Sequence, residues 1–143
     1  MQDVMRKTCY DLNVIPIGAF LLSAEQVLGI DAQRLRNVID IGSAESALAA
    51  PFATFGGHDF YEHPVKRAAI LASRIMRNHA LPDGNKRVAL ILMDDYLFEN
   101  GYQLTASQTE IARIFRAVAG RAMTEDYFHA WLISHTERVD KPG

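Results

Sequence analysis

The chain has one cysteine, Cys9, so it cannot close a disulfide on itself, and no Cys/His pair has zinc-finger spacing. Structural zinc is not expected, and the composition fits a reducing compartment. Long apolar runs are also missing. Stretches such as Val88 to Met93 are far shorter than the ~20 residues needed to cross a bilayer, and residues 1–20 lack the continuous apolar core of a signal peptide. These absences lead to an expectation of a cytoplasmic protein with no membrane partner. Charge of one sign is scarce as well. A formal net charge of −2 with 22% charged residues excludes the disorder signature and the basic balance of a nucleic-acid coat, so no direct nucleic acid binding is expected. No internal repeat and no low-complexity segment interrupts the chain.

What is present is apolar material, 49% of 143 residues, enough for one domain that buries roughly two-thirds of its unfolded surface. Residues 1–17 carry no clear period and read as an arm, 18–138 as the domain, and 139–143 as a tail. Ser23 with Gln26 has the form of a capping box opening a short helix that Gly29 closes. Asp31 opens another helix to about Ile41, and Ser43 precedes a third, Ala44 to Ala50, stopped by Pro51. Thr54, Phe55, Phe60 and Tyr61 flank Gly56-Gly57, which is a hairpin signal. Pro64 suits the first position of a helix to about His79, with Val65, Ala68, Ala69, Ala72, Ile75, Met76 and His79 on one stripe and Lys66, Arg67, Ser73, Arg74 and Arg77 opposite. Lys86 to Asn100 reads as the centre of the core, ended by Gly101. Thr105 is a candidate cap for a helix to Ala119, and Thr124 for a last one through Trp131 to about Thr136, followed by a polar tail from Glu137. The expected architecture is all-α: a compact bundle of about six helices around a central helix, with one surface β-hairpin.

The connection between the two central helices holds a histidine, a carboxylate, a glycine, an amide, a lysine and an arginine within nine residues, His79 to Arg87. The N-terminus of the helix after Gly84 presents free N–H groups and a positive dipole end, which suits phosphate. Lys86 and Arg87 have the wrong sign for that dipole, at about 0.3–1 kcal/mol each, and a bound polyphosphate reverses the penalty. Asp83 offers a hard oxygen for Mg²⁺, and His79 has the chemistry to take a proton from a hydroxyl near neutral pH. Lys66, Arg67, Arg74, Arg77, Lys86 and Arg87 concentrate positive charge around the turn, with Asp83 the one acid between Pro64 and Arg87. Each feature has a plainer reading: Pro-Asp-Gly as a common turn, His79 as a core residue, the basic face as a solvated one. Ordered in one string, they point to a site.

The string His79-x-Leu81-x-Asp83-Gly84-Asn85-Lys86-Arg87 resembles the signature of the Fic/Doc family, His-x-Phe-x-Asp/Glu/Asn-Gly/Ala-Asn-Gly/Lys-Arg, and the resemblance extends over residues 20–135. It implies an all-helical fold with a flap. It also implies His79 as general base, Asp83 as the Mg²⁺ ligand, catalytic roles for His79, Asp83 and Arg87, and ATP phosphates held by Gly84, Asn85, Lys86 and Arg87. The hairpin residues Thr54, Phe55, Gly56, Gly57 and His58 become a target-docking flap that aligns an extended stretch of the target by strand addition. AMP-transferring members usually have Gly at the position of Lys86 and a second arginine where this chain has Leu90. Both differences match the Doc branch, in which the γ-phosphoryl group faces the hydroxyl, so the implied activity is a protein kinase, with AMP transfer by the same site as the alternative. The same resemblance implies a toxin of a toxin–antitoxin pair, elongation factor Tu as substrate and a cognate antitoxin. An internal inhibitory Ser/Thr-x-x-x-Glu-Gly/Asn string is lacking: before Glu99-Asn100 the required position holds Asp95.

Two other readings come from different chemistry. His58-Asp59 with His63 fits an HD-type metal phosphohydrolase, which needs its His-Asp pair on a helix, whereas Gly56-Gly57 puts it in a hairpin. The basic 64–78 helix fits a phosphate-gripping nucleic-acid module, which leaves the His79, Asp83 and Asn85 set without a job. His129, Trp131 and His135 have no metal-ligand pattern and read as packing or surface residues.

Overall fold

The computed structural model describes residues 14–139. Among them are seven helices and two small antiparallel ribbons. In chain order these are α1 (Ile17–Leu28), α2 (Ala32–Val38), α3 (Ile41–Ala49), a 3₁₀ turn (Ala50–Phe52), β1 (Thr54–Phe55) and β2 (His58–Asp59). Then follow α4 (Pro64–Asn78), α5 (Asn85–Glu99), β3 (Tyr102–Leu104), α6 (Gln108–Ala119), α7 (Glu125–Ser134) and β4 (Thr136–Arg138). The expected all-α bundle with a hairpin is the fold observed. Of the expected arm, residues 1–13 lie outside the described residues, as do 140–143 of the tail.

Side-chain caps open most helices: Asp31 accepts from Arg34 N–H, Asp40 from Ser43 N–H, Ser107 from Glu110 N–H and Thr124 from Tyr127 N–H. Three of the expected starts move. α1 begins after Pro16, not at Ser23, which is fully buried in mid-helix; burying Ala19, Phe20 and Ala24 outweighs the weak breaker Gly18 in the first turn. Asp40, not Ser43, caps α3, and α2 ends at Val38. Ser107 caps α6, while Thr105 N–H donates to His135 O at 2.7 Å and so extends the β3–β4 ribbon. That ribbon, which pairs Tyr102 with Arg138, Gln103 with Glu137 and Leu104 with Thr136, was not anticipated and takes Glu137 and Arg138 out of the expected tail.

The core is one cluster in which Val65, Ala68, Ala69, Leu71, Ala72, Ile75 and Met76 of α4 meet Val88, Ala89, Leu92, Met93 and Leu97 of α5. Burying each large aliphatic side chain contributes about 1.5–3 kcal/mol, and the buried alanines let the two helices approach closely. These two helices share the most extensive interface, but α4, rather than the expected 86–100 helix, touches the most elements: α3, the 3₁₀ turn, α5, α6 and α7.

The basic face of α4 is not a solvated surface. Arg67 is buried, donating to Tyr61 O at 2.8 Å and Asp59 Oδ2 at 3.0 Å over the Phe52 ring. Lys66 pairs with Asp126 at 2.9 Å. Arg74 and Ser73 both donate to Glu125 Oε2, and Arg77 donates to the carbonyls of Val118 and Met123. Four of the expected basic residues thus hold the hairpin, α6 and α7 onto α4.

Burial pushes the Glu125 carboxyl up, but Arg74, Ser73 and Arg77 outweigh it and leave the group below the ordinary glutamate value. A depressed folded value adds stability above the unfolded pKa that is lost as pH falls through the folded one. Glu125→Gln should lower stability at pH 7 by about 1–2 kcal/mol, reduced by the partial exposure of Arg74. The gap in melting temperature between wild type and variant should close as pH falls below about 4, the ordinary carboxylate range. A gap that stays constant down to pH 3 would show that Glu125 acts through shape and not charge.

Candidate functional site

α4 ends on His79, which takes the left-handed conformation (φ 52°, ψ 47°), a region uncommon for residues other than glycine. The turn carries the imidazole off the apolar stripe into an exposed position, so the core reading of His79 is overturned. Its neighbours anchor the turn. Ala80 and Leu81 are buried, Ala80 O accepts from Asp40 N–H at 2.8 Å, and Asn78 Nδ2 donates to Ser43 O. The Asn85 amide then closes the loop twice: its oxygen accepts from Leu81 N–H at 3.2 Å and its nitrogen donates to Leu81 O at 2.9 Å. The Asn85 side chain is therefore occupied in shaping the loop.

Gly84 (φ +85°) starts α5, and a Cβ there would lie 2.7 Å from Val27 Cγ1. The close approach that needs glycine is thus to α1, not to open space for a ligand. No side chain caps α5 and no acid lies in its first turn; Lys86 and Arg87 are both exposed there. Neither makes an ion pair with the described residues. The helix begins with uncovered N–H groups and two free cations, an arrangement suited to an anion.

These residues line one cleft of about 710 Å³. One side holds His79, Asp83, Gly84, Asn85, Lys86 and Arg87, and the other is the α6 face with Gln108, Ile111, Ala112, Phe115 and Arg116. Met76, Pro82, Leu90 and Ala119 complete the apolar part. Asp83 is exposed, and its Oδ1 accepts from Gly84 N–H at 2.8 Å, which ties the carboxylate to the residue that starts α5. Residues 17–97, more than half of the chain, match the sequence model of the Fic/DOC family. The chain belongs to the Fic/DOC family.

A relative named Toxin Doc, from Mycolicibacterium smegmatis (strain ATCC 700084 / mc(2)155), is 45% identical over 69 residues, 48% of this chain. The match spans 53% of that relative's length. No solved structure matches the chain. The Fic/DOC match covers the hairpin, α4, the loop and most of α5, while the α6 wall lies beyond it.

The flap residues Thr54, Phe55, Gly56, Gly57 and His58 are exposed and are not among the cleft's walls. Thr54 pairs with Asp59 and Phe55 with His58 around Gly56 and Gly57, both at positive φ. Arg67 fixes the hairpin's base through Asp59 and Tyr61. That contact, with His63 Nδ1 accepting from Val65 N–H at the start of α4, accounts for two of the three residues behind the metal phosphohydrolase reading. Sequence reasoning missed Gln108 and Arg116, because nothing local says that α6 folds over the motif. His135, read as a packing or surface residue, stacks on Trp131 and approaches Glu110 Oε1 at 2.8 Å, clasping α7 to α6.

Gly84→Ala should lose stability by about 2 kcal/mol or more in denaturant unfolding, from the left-handed backbone and the collision with Val27. Gly57→Ala has a similar φ (+82°) and no atom within 4 Å of the new Cβ, so it should show the backbone part alone. Equal losses in the two variants would remove the packing role assigned to Gly84.

Proposed function

We propose that the chain is a Doc-type toxin that transfers the γ-phosphoryl group of ATP to a hydroxyl side chain of a protein target, with elongation factor Tu as the target. The observation that carries this reading is His79 held at the mouth of a cleft beside the uncapped, cationic start of α5. His79 takes the proton of the target hydroxyl, the hydroxyl oxygen bonds to the γ-phosphorus, and the bond from that phosphorus to the β-bridging oxygen breaks to release ADP. Lys86, Arg87 and the first N–H groups of α5 hold the phosphates. Leu90 on the cleft wall, in place of a second arginine, favours phosphoryl over AMP transfer.

Asp83 suits Mg²⁺: its carboxylate is exposed and one oxygen is already oriented by Gly84. Among the described residues no group of three acids, histidines or cysteines could hold a metal, so the ion would rest on Asp83, water and the phosphates, a usual arrangement for Mg²⁺. When bound, it neutralises charge on the transferring phosphoryl group. The relative's name supports the toxin reading; a cognate antitoxin and action in the cytoplasm are part of the same proposal. No helix among the described residues is long and apolar enough to cross a membrane. The extended target would dock along β1–β2, whose free edge and exposed Phe55 support strand addition.

The deciding experiment mixes the purified chain with elongation factor Tu, Mg²⁺ and ATP labelled at the α or γ position, with His79→Ala as blank. The expected result is label from γ alone, reduced about a hundredfold or more in the variant. Label from α would mean AMP transfer, and transfer from neither would remove the proposed substrate.

A further inference from the structure

The α6 wall of the cleft is outside the motif, and its one cation is Arg116. Arg116 is exposed and makes no ion pair with the described residues, whereas its neighbour Arg113, one turn earlier, faces Glu110 at 4.0 Å. Leu90 of α5, one turn on from Lys86 and Arg87, lines the same cleft. The lining residues therefore comprise three cations, Lys86, Arg87 and Arg116, against the one carboxylate of Asp83. That excess of positive charge complements a doubly negative Mg–ATP complex, and without Arg116 the complement would be incomplete. Ile111, Ala112 and Phe115 beside it give an apolar surface of the kind that accepts a nucleobase or ribose face.

We infer that Arg116 is a nucleotide-binding residue that grips the polyphosphate of ATP from the side opposite α5, so that the phosphate chain is clamped between two helices. The inference rests on the reading of the cleft as an ATP site. A guanidinium from α6 supplies a planar pair of donors to phosphate oxygens, in addition to Lys86 and Arg87 of α5. There is an ordinary reason for an arginine in the last turn of a helix, since a cation favours the negative dipole end. A residue serving only the dipole would change stability and leave nucleotide affinity alone.

Calorimetric titration of the whole chain with Mg–ATP and, separately, adenosine distinguishes the two, using Arg116→Ala and, as a control outside the cleft, Arg113→Ala. Arg116→Ala should weaken Mg–ATP binding by about tenfold, lower the salt dependence of binding and leave adenosine affinity unchanged. Arg116→Lys should recover part of the loss, and Arg113→Ala should match wild type. Unchanged Mg–ATP affinity in Arg116→Ala, with wild type binding, overturns the inference and leaves the ATP site standing. An equal loss for adenosine and Mg–ATP also overturns it, because a phosphate clamp cannot act on a ligand without phosphate. Failure of wild type to bind Mg–ATP removes both readings together.

Discussion

The double hydrogen bond between the Asn85 amide and the Leu81 backbone is the constraint on which the site depends. It ties the first residue of α5 to a loop residue already sunk in the core, so the turn from α4 to α5 can close in one way only. Around it, Ala80 O is fixed by Asp40, and Gly84 is pressed against Val27. His79 and Asp83 then lie on the outer side of a loop whose inner side is packed. Positioning groups by burying their neighbours is how a fold holds reactive side chains without relying on their own contacts.

Charge is divided along the same line. The α4 cations are satisfied by Asp59, Glu125, Asp126 and backbone carbonyls, while Lys86 and Arg87, a few residues on, have no such partners among the described residues. The bonded set holds the hairpin, α6 and α7 in place, and the free set faces the cleft for which α6 supplies a wall. An anion entering the cleft would meet charge not already neutralised.

Much of the fold was legible from local signals. Pro64, Gly101 and the Gly56-Gly57 turn have backbone requirements that neighbouring sequence reveals, and the 64–78 stripe has a clear period. Helix starts were less legible. Ser23 has every local mark of a cap, yet it lies inside α1, because the burial of Ala19 and Phe20 depends on a helix far away in sequence. The β3–β4 ribbon could not be read, since two three-residue strands separated by the whole of α6 and α7 show no alternation of their own.

The sequence by itself determined the chemistry present at the site: the ordered set from His79 to Arg87, the glycine that permits a left-handed helix start, and the cations set against a helix dipole. These are properties of adjacent residues, and adjacency survives in an unfolded chain. Only the tertiary structure decided which of those residues are available. It turned His79 outward, occupied the Asn85 amide, assigned Gly84 to packing against Val27 and brought Gln108 and Arg116 of α6 over the motif. Each of these depends on contacts between segments distant in the chain, and such contacts are fixed by the packing of complementary surfaces, which no short stretch of residues encodes alone.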